Sequence, residues 1–218
     1  RFEPGRAHMS LTLGDVVAGR PHVRVDPGPG GWTLTIHGRD RTGLFADTAG
    51  LLAAHGMTVR RARLATVDGI AVDEWFVESP GGDPPEPLRI TAGLTRLEAG
   101  DRAALGSLAR RRRGPERPGT AGGTRAFVLP SAGSGATVIE VRSQDRPGLL
   151  HDLGLVLAAE GISVRSAHIS THAGQTLDTF YVTDRDGREL GPAAVARTVS
   201  AVIDGCDGEV DEGSAAGR

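Results

Sequence analysis

A chain of 218 residues with 39% hydrophobic content and a formal charge of −2 has room for one or two domains with modest cores. The near-neutral balance favours neither a nucleic acid nor a membrane surface as partner. No apolar run approaches the roughly 20 residues that span a bilayer, and no signal-peptide pattern opens the chain. All 25 basic residues are arginine, which reads as a coding bias rather than as chemistry. The single Cys206 leaves no intramolecular disulfide and no cysteine-based zinc site, as expected in a reducing, cytoplasmic compartment. The first residue is Arg1 rather than Met, the pattern of a piece of something longer.

Residues 1–31 are poor in core material and end in Asp26-Pro27-Gly28-Pro29-Gly30-Gly31, which reads as a linker arriving from an upstream domain. Trp32–Ile36 alternates and predicts a strand. After a loop at Asp40–Gly43, Leu44, Ala49, Leu51 and Leu52 give an apolar helical face, and Gly56 stands where a left-handed residue ends a helix. Met57 to Thr66 is a strand whose inward phase slips by one near Arg60-Arg61, the signature of a bulge. Asp68-Gly69 turns a hairpin into the return strand Ile70–Val77. Pro80 to Pro87 reads as a loop, Leu97 to Arg113 as a helix, and Arg125–Leu129 as the last strand of a first unit spanning 32–130.

A small-residue linker, 131–135, leads to a second unit at 136–211 and a disordered tail at 212–218. Its elements are a strand at Thr137–Val141, a helix from Gly148 to Glu160, a hairpin of Ile162–Thr171 with Gln175–Val182, and a helix from Pro192 to Ile203. Only Gly208–Asp211 remains for a final strand, so the second unit is expected to have a short or borrowed edge. The two units are one plan used twice. Residues 40–77 align without a gap on residues 145–182, 105 positions on, with 16 of 38 identical. Strand, helix, strand, strand, helix, strand predicts an α+β fold: two ferredoxin-like βαββαβ units, each an antiparallel four-stranded sheet with its helices on one face. The apolar residues of Ile70–Val77 fall on both faces of the strand. That predicts a second contact with the other unit or a partner, or else a half-exposed Trp75 at a rim.

The loops before the first helices are the candidate sites. Asp40-Arg41-Thr42-Gly43-Leu44 and Asp145-Arg146-Pro147-Gly148-Leu149 stand where main-chain N–H groups lack helical partners and the helix dipole favours an anion. Gly43 and Gly148 admit a ligand close to the backbone. Pro147 presets a helix start, whereas Thr42 leaves the first loop less rigid. Asp40 and Asp145 set a negative charge beside each cradle, a combination suited to a zwitterionic amino acid; a plain N-cap is the alternative use of such a residue. His151-Asp152 is too small a set for a metal site, since the first unit has Ala46-Asp47 there, and His151 reads as an exposed first-turn residue. No catalytic or metal-ligating motif is found. Arg110-Arg111-Arg112-Arg113 reads as a solvated helix end, with a phosphate or acidic partner as the alternative.

The Asp-Arg-(Thr/Pro)-Gly-Leu loops, the Leu-Ala-Ala-x-Gly helix ends and the Val-Arg-x-Ala…Thr…Gly…Asp hairpins resemble ACT domains, small regulatory modules of the same plan. The tandem resembles the C-terminal pair of the nucleotidyltransferases that modify the nitrogen-regulatory PII protein, over most of residues 32–205. The resemblance implies amino-acid sensing at an interface between two units, with glutamine as effector. It implies Asp40, Arg41, Gly43 and Leu44 with Asp145, Arg146, Pro147, Gly148 and Leu149 as ligand-proximal positions. It also implies upstream catalytic domains using magnesium and a nucleoside triphosphate to transfer UMP or AMP, PII as their partner, and pairing of ACT units within or between chains. A stand-alone amino-acid-binding regulator, an enzyme resting on His151-Asp152 and a purely structural dimerisation module are the other readings.

Overall fold

The computed structural model describes residues 19–112, 123–130 and 135–207. Its strands are β1 (His22–Gly28), β2 (Gly31–Arg39), β3 (Thr58–Val67), β4 (Ile70–Glu78), β5 (Arg125–Leu129), β6 (Thr137–Gln144), β7 (Ser163–His172) and β8 (Gln175–Thr183). Its helices are α1 (Leu44–Ala54), α2 (Pro87–Glu98), α3 (Gly106–Arg112), α4 (Leu149–Ala159) and α5 (Pro192–Asp207). All eight strands form one antiparallel sheet in the order β1-β2-β4-β3-β7-β8-β6-β5. The units therefore share a sheet, joined where β3 meets β7 through Arg61–His168, Ala62–Ala167 and Arg63–Ser166.

Within each half the strand order is ferredoxin-like, but the outer strand comes from a different part of the chain than expected. His22–Gly28, inside the stretch read as a linker, hairpins through Pro29-Gly30 onto β2 and fills the first unit's edge. Pro27 is tolerated there because an outermost strand has one edge with no ladder to supply. With that edge taken, Arg125–Leu129 does not close the first unit. It pairs with β6, its neighbour in sequence, and supplies the borrowed edge of the second unit. Each half thus runs β-β-α-β-β-α, and the boundary drawn at 131–135 cuts a hairpin. The alternative strand at Gly208–Asp211 lies outside the described residues.

The region between the hairpin and β5 also differs from its reading. A helix begins at Pro87, inside the expected loop, because Pro fits a first helical position and Ile90, Gly93, Leu94 and Leu97 share one buried face. It stops at Glu98, where Gly100 takes a φ of 83°. The chain then re-forms as the short α3. The predicted continuous helix from Leu97 to Arg113 is therefore two pieces with a break.

Other local readings stand. Both β3 and β7 bulge, between Val59 and Arg61 and between Val164 and Ser166. Gly56 and Gly161 follow their helices at φ 76° and 72°. The two hairpins turn through Asp68-Gly69 and Ala173-Gly174, all four residues at positive φ.

The core lies between the sheet's inner face and the helices. α1 and α4 cross over the seam almost backbone to backbone. A Cβ on Gly154 would stand 2.8 Å from the Ala46 Cα, and one on Gly50 would stand 2.6 Å from His151 Nδ1. Phe45 locks the seam: it stacks on Trp75 at 5.2 Å and meets Phe180 edge-on at 6.3 Å, the two aromatics being repeat equivalents. Trp75 is fully buried, not a rim residue. The outer face of β4, with Val72 and Phe76, stays partly exposed, and there the Arg61 guanidinium sits 5.9 Å from the Phe76 ring. His151 is also buried, at 3% exposure, rather than a surface residue. Its Nδ1 lies 2.6 Å from the Ala46 carbonyl, which only accepts, so Nδ1 carries the proton.

Candidate ligand site

The two turns before α1 and α4 are built alike. Gly43 and Gly148 are the N-cap residues at φ 84° and 80°, and neither helix has a side-chain cap. Each turn closes on itself: Leu44 N donates to the Arg41 carbonyl and Leu149 N to that of Arg146, both at 3.2 Å. Asp40 is therefore not an N-cap. Its carboxylate accepts from the Thr66 hydroxyl at 2.6 Å, and its N–H donates to Gly69 O at the hairpin tip. The motif arginines serve as buttresses. Arg41 pairs with buried Asp47, which Arg102 also holds; Arg146 pairs with buried Asp152, which Arg112 also holds.

Beyond that point the turns part company. Asp40, Arg41, Gly43 and Leu44 wall a cleft of about 580 Å³ that runs between the units. Its far wall is second-unit chain: Gly161–Arg165 between α4 and the start of β7, and Thr183–Gly187 from the last residue of β8 onward. Asp145, Arg146, Pro147, Gly148 and Leu149 are not part of it. The second turn is covered by α3: a Cβ on Gly148 would lie 2.8 Å from Arg112 Nη2 and 3.0 Å from Leu108 Cδ1. Ser107 and Arg111 donate to the Ala54 carbonyl and hold that helix down. Arg111 and Arg112 are thus tied down by hydrogen bonds rather than free, although Arg110 and Arg111 are exposed; Arg113 lies outside the described residues.

The cleft also contains a residue that sequence reasoning did not single out. Asp73 on β4 is 2% exposed, lines the cleft, and has one carboxylate oxygen with no hydrogen-bond partner. Burial first, and then the charge of Asp40, push its pKa up to about 7, against a weaker opposing bond from the Ala65 backbone. Its repeat equivalent Asp178 is buried likewise and also raised to about 7, mainly by burial. The signal was present. Ala71, Trp75 and Val77 share the inward face with Asp73, and an aspartate in that row in both repeats is hard to explain by packing. Among the described residues no group of three His, Cys, Asp or Glu is placed to hold a metal. The magnesium implied by the resemblance belongs to upstream catalytic domains, and no chemical step is derived through it.

A sheet with helices on one face, duplicated about a seam and carrying a cleft at one strand-to-helix turn, is the architecture of a tandem of ferredoxin-like units. Residues 137–203 match the ACT domain family and are an ACT domain; the first unit repeats its fold and sequence.

The full-length relatives are enzymes. Over 187 residues the chain is 41% identical to the bifunctional uridylyltransferase/uridylyl-removing enzyme of Streptomyces coelicolor, covering 78% of this chain and 22% of the relative. It is 35% identical over 178 residues to the enzyme of that name from Gluconobacter oxydans, covering 75% and 18%. For the Caulobacter vibrioides enzyme of that name it is 36% identical over 181 residues, covering 77% and 18%. The chain spans about a fifth of the length of these curated relatives, at their C-terminal end.

Proposed function

We propose that this chain is the amino-acid-sensing region of a nucleotidyltransferase that modifies PII, and that its ligand is glutamine, bound in the cleft at the first turn. The observation that carries this reading is Asp73, a buried carboxylate with a spare oxygen in a cleft walled by both units. A buried anionic acceptor without a partner is costly, and a ligand ammonium offsets that cost. Asp40 adds a second negative charge, and the dipole of α1 favours the ligand's carboxylate at the turn. Because the cleft has a wall from each unit, a ligand that binds one docking of the units better than another shifts their balance. Upstream catalytic domains, using magnesium and a nucleoside triphosphate in the cytoplasm, would read that shift and act on PII.

Titration calorimetry with glutamine tests the reading. Binding is expected for the wild-type chain and lost in Asp73→Ala, with a circular dichroism melt to verify folding. An absence of heat with glutamine and every other amino acid tried would remove it.

A further inference from the structure

The repeat makes the two turns comparable residue by residue, and a pair of positions at the strand ends facing them differs in charge. At the bulge of β3, Arg60 donates to Glu78 through Nε at 2.9 Å and Nη2 at 2.8 Å, a bidentate pair. The bonds to Glu78, and less strongly the charge of Asp145 in the opposite unit's turn, raise the Arg60 pKa against an opposing effect of burial. The equivalents 105 residues on are Arg165 at the bulge of β7 and Thr183 at the end of β8. Both wall the open cleft opposite Asp40. Thr183 carries no charge, and its buried hydroxyl has no partner. Among the described residues Arg165 has neither an ion pair nor a hydrogen bond, and it is exposed. The closed turn therefore contains a guanidinium already satisfied by its own carboxylate, and the open cleft contains the same guanidinium unsatisfied.

Building on the sensor reading, we propose that Arg165 is the specificity-determining partner of the ligand's α-carboxylate, and that Thr183 keeps it available by not being glutamate. The ligand then lies across the cleft, with its ammonium toward Asp40 and Asp73 and its carboxylate between Arg165 and the first turn of α1. A charged, fork-shaped donor at that end selects a free amino acid over an amide or a peptide-linked residue.

Titrating the 218-residue chain with L-glutamine and with its α-amide, which keeps the ammonium and side chain but lacks the carboxylate, tests this. Wild type is expected to prefer glutamine by about tenfold or more, the worth of one charge-assisted bond. Arg165→Gln and Thr183→Glu are each expected to bring that ratio to within about twofold, while Arg60→Gln leaves it unchanged. Melting curves for all four chains establish that they fold. Undiminished preference for glutamine in folded Arg165→Gln overturns the assignment while leaving the sensor reading intact. A wild-type chain that binds neither compound overturns both.

Discussion

The two strand-to-helix turns start from nearly the same sequence and end in opposite states. The first opens on a cleft; the second is roofed by α3, with Arg112 and Leu108 over Gly148. The turns themselves hardly contribute to this. Their glycines, their self-closing N–H bonds and their arginine buttresses match. What differs is what stands across from them: a second, short helix, α3, after β4, where the described residues after β8 form α5 alone, and Glu78 where the second unit has Thr183. A duplicated site can thus be differentiated by its surroundings while its own motif stays constant, so motif identity in a repeat does not imply two working sites.

The largest expected effect tests whether the halves fold as one. Phe45→Ala removes the ring that touches both Trp75 and Phe180 and is expected to cost about 3–5 kcal/mol in chemical denaturation. Its equivalent Leu150→Ala, at a half-buried position, is expected to cost clearly less. Equal costs would mean the seam is not centred on Phe45.

Next come the buried aspartates. With a folded-state pKa of about 7 against an ordinary value near 3.8, each holds a proton in the folded chain that the unfolded chain has released. Stability therefore falls as pH rises from about 4 to about 7, then levels off. Asp178→Asn and Asp73→Asn should each flatten that slope and raise stability at pH 8 by on the order of 2–4 kcal/mol. Denaturation across pH 4–8 measures this. Saturating glutamine is expected to remove the Asp73 part of the slope and leave the Asp178 part, since Asp73 lines the cleft and the second turn is roofed by α3. For the same reason glutamine binding should tighten as Asp73 ionises between pH 6 and 8. Equal suppression of both parts would erase the distinction between the clefts.

A smaller effect tests the buttresses. Arg112→Ala leaves buried Asp152 with one guanidinium instead of two and is expected to cost about 1–3 kcal/mol without changing glutamine affinity. Arg102→Ala disturbs Asp47 beneath the open cleft and should weaken glutamine binding. The smallest effect compares the hairpins. Ala173 sits at φ 51° where the first unit has Asp68, so Ala173→Gly should stabilise the chain by about 0.5–1 kcal/mol.

What the sequence made legible was local. The bulge at Arg60-Arg61, the turn at Asp68-Gly69 and the stop at Gly56 are each fixed by a few neighbouring residues, and all three stand. What it concealed depends on distant partners. Arg125–Leu129 is equally strand-like in either sheet; its place was decided by β1 having filled the first edge. Asp40 resembled a cap until Thr66 and Gly69, distant in sequence, were seen to hold it. The roof over the second turn was hidden for the same reason. Arg112 shows its partner Asp152 only when α3 is laid against α4.

The contact of α1 with α4 through Gly154, Gly50 and Ala46 has a mechanical consequence. With only glycines, the Ala46 methyl and the rings of Phe45 and His151 filling the contact, the two rods have little room to slide closer, and drawing apart would leave a void. Swivelling about the point of contact is the motion left at low cost, so a small molecule wedged at one end would be felt as a change of angle at the far rims of the sheet.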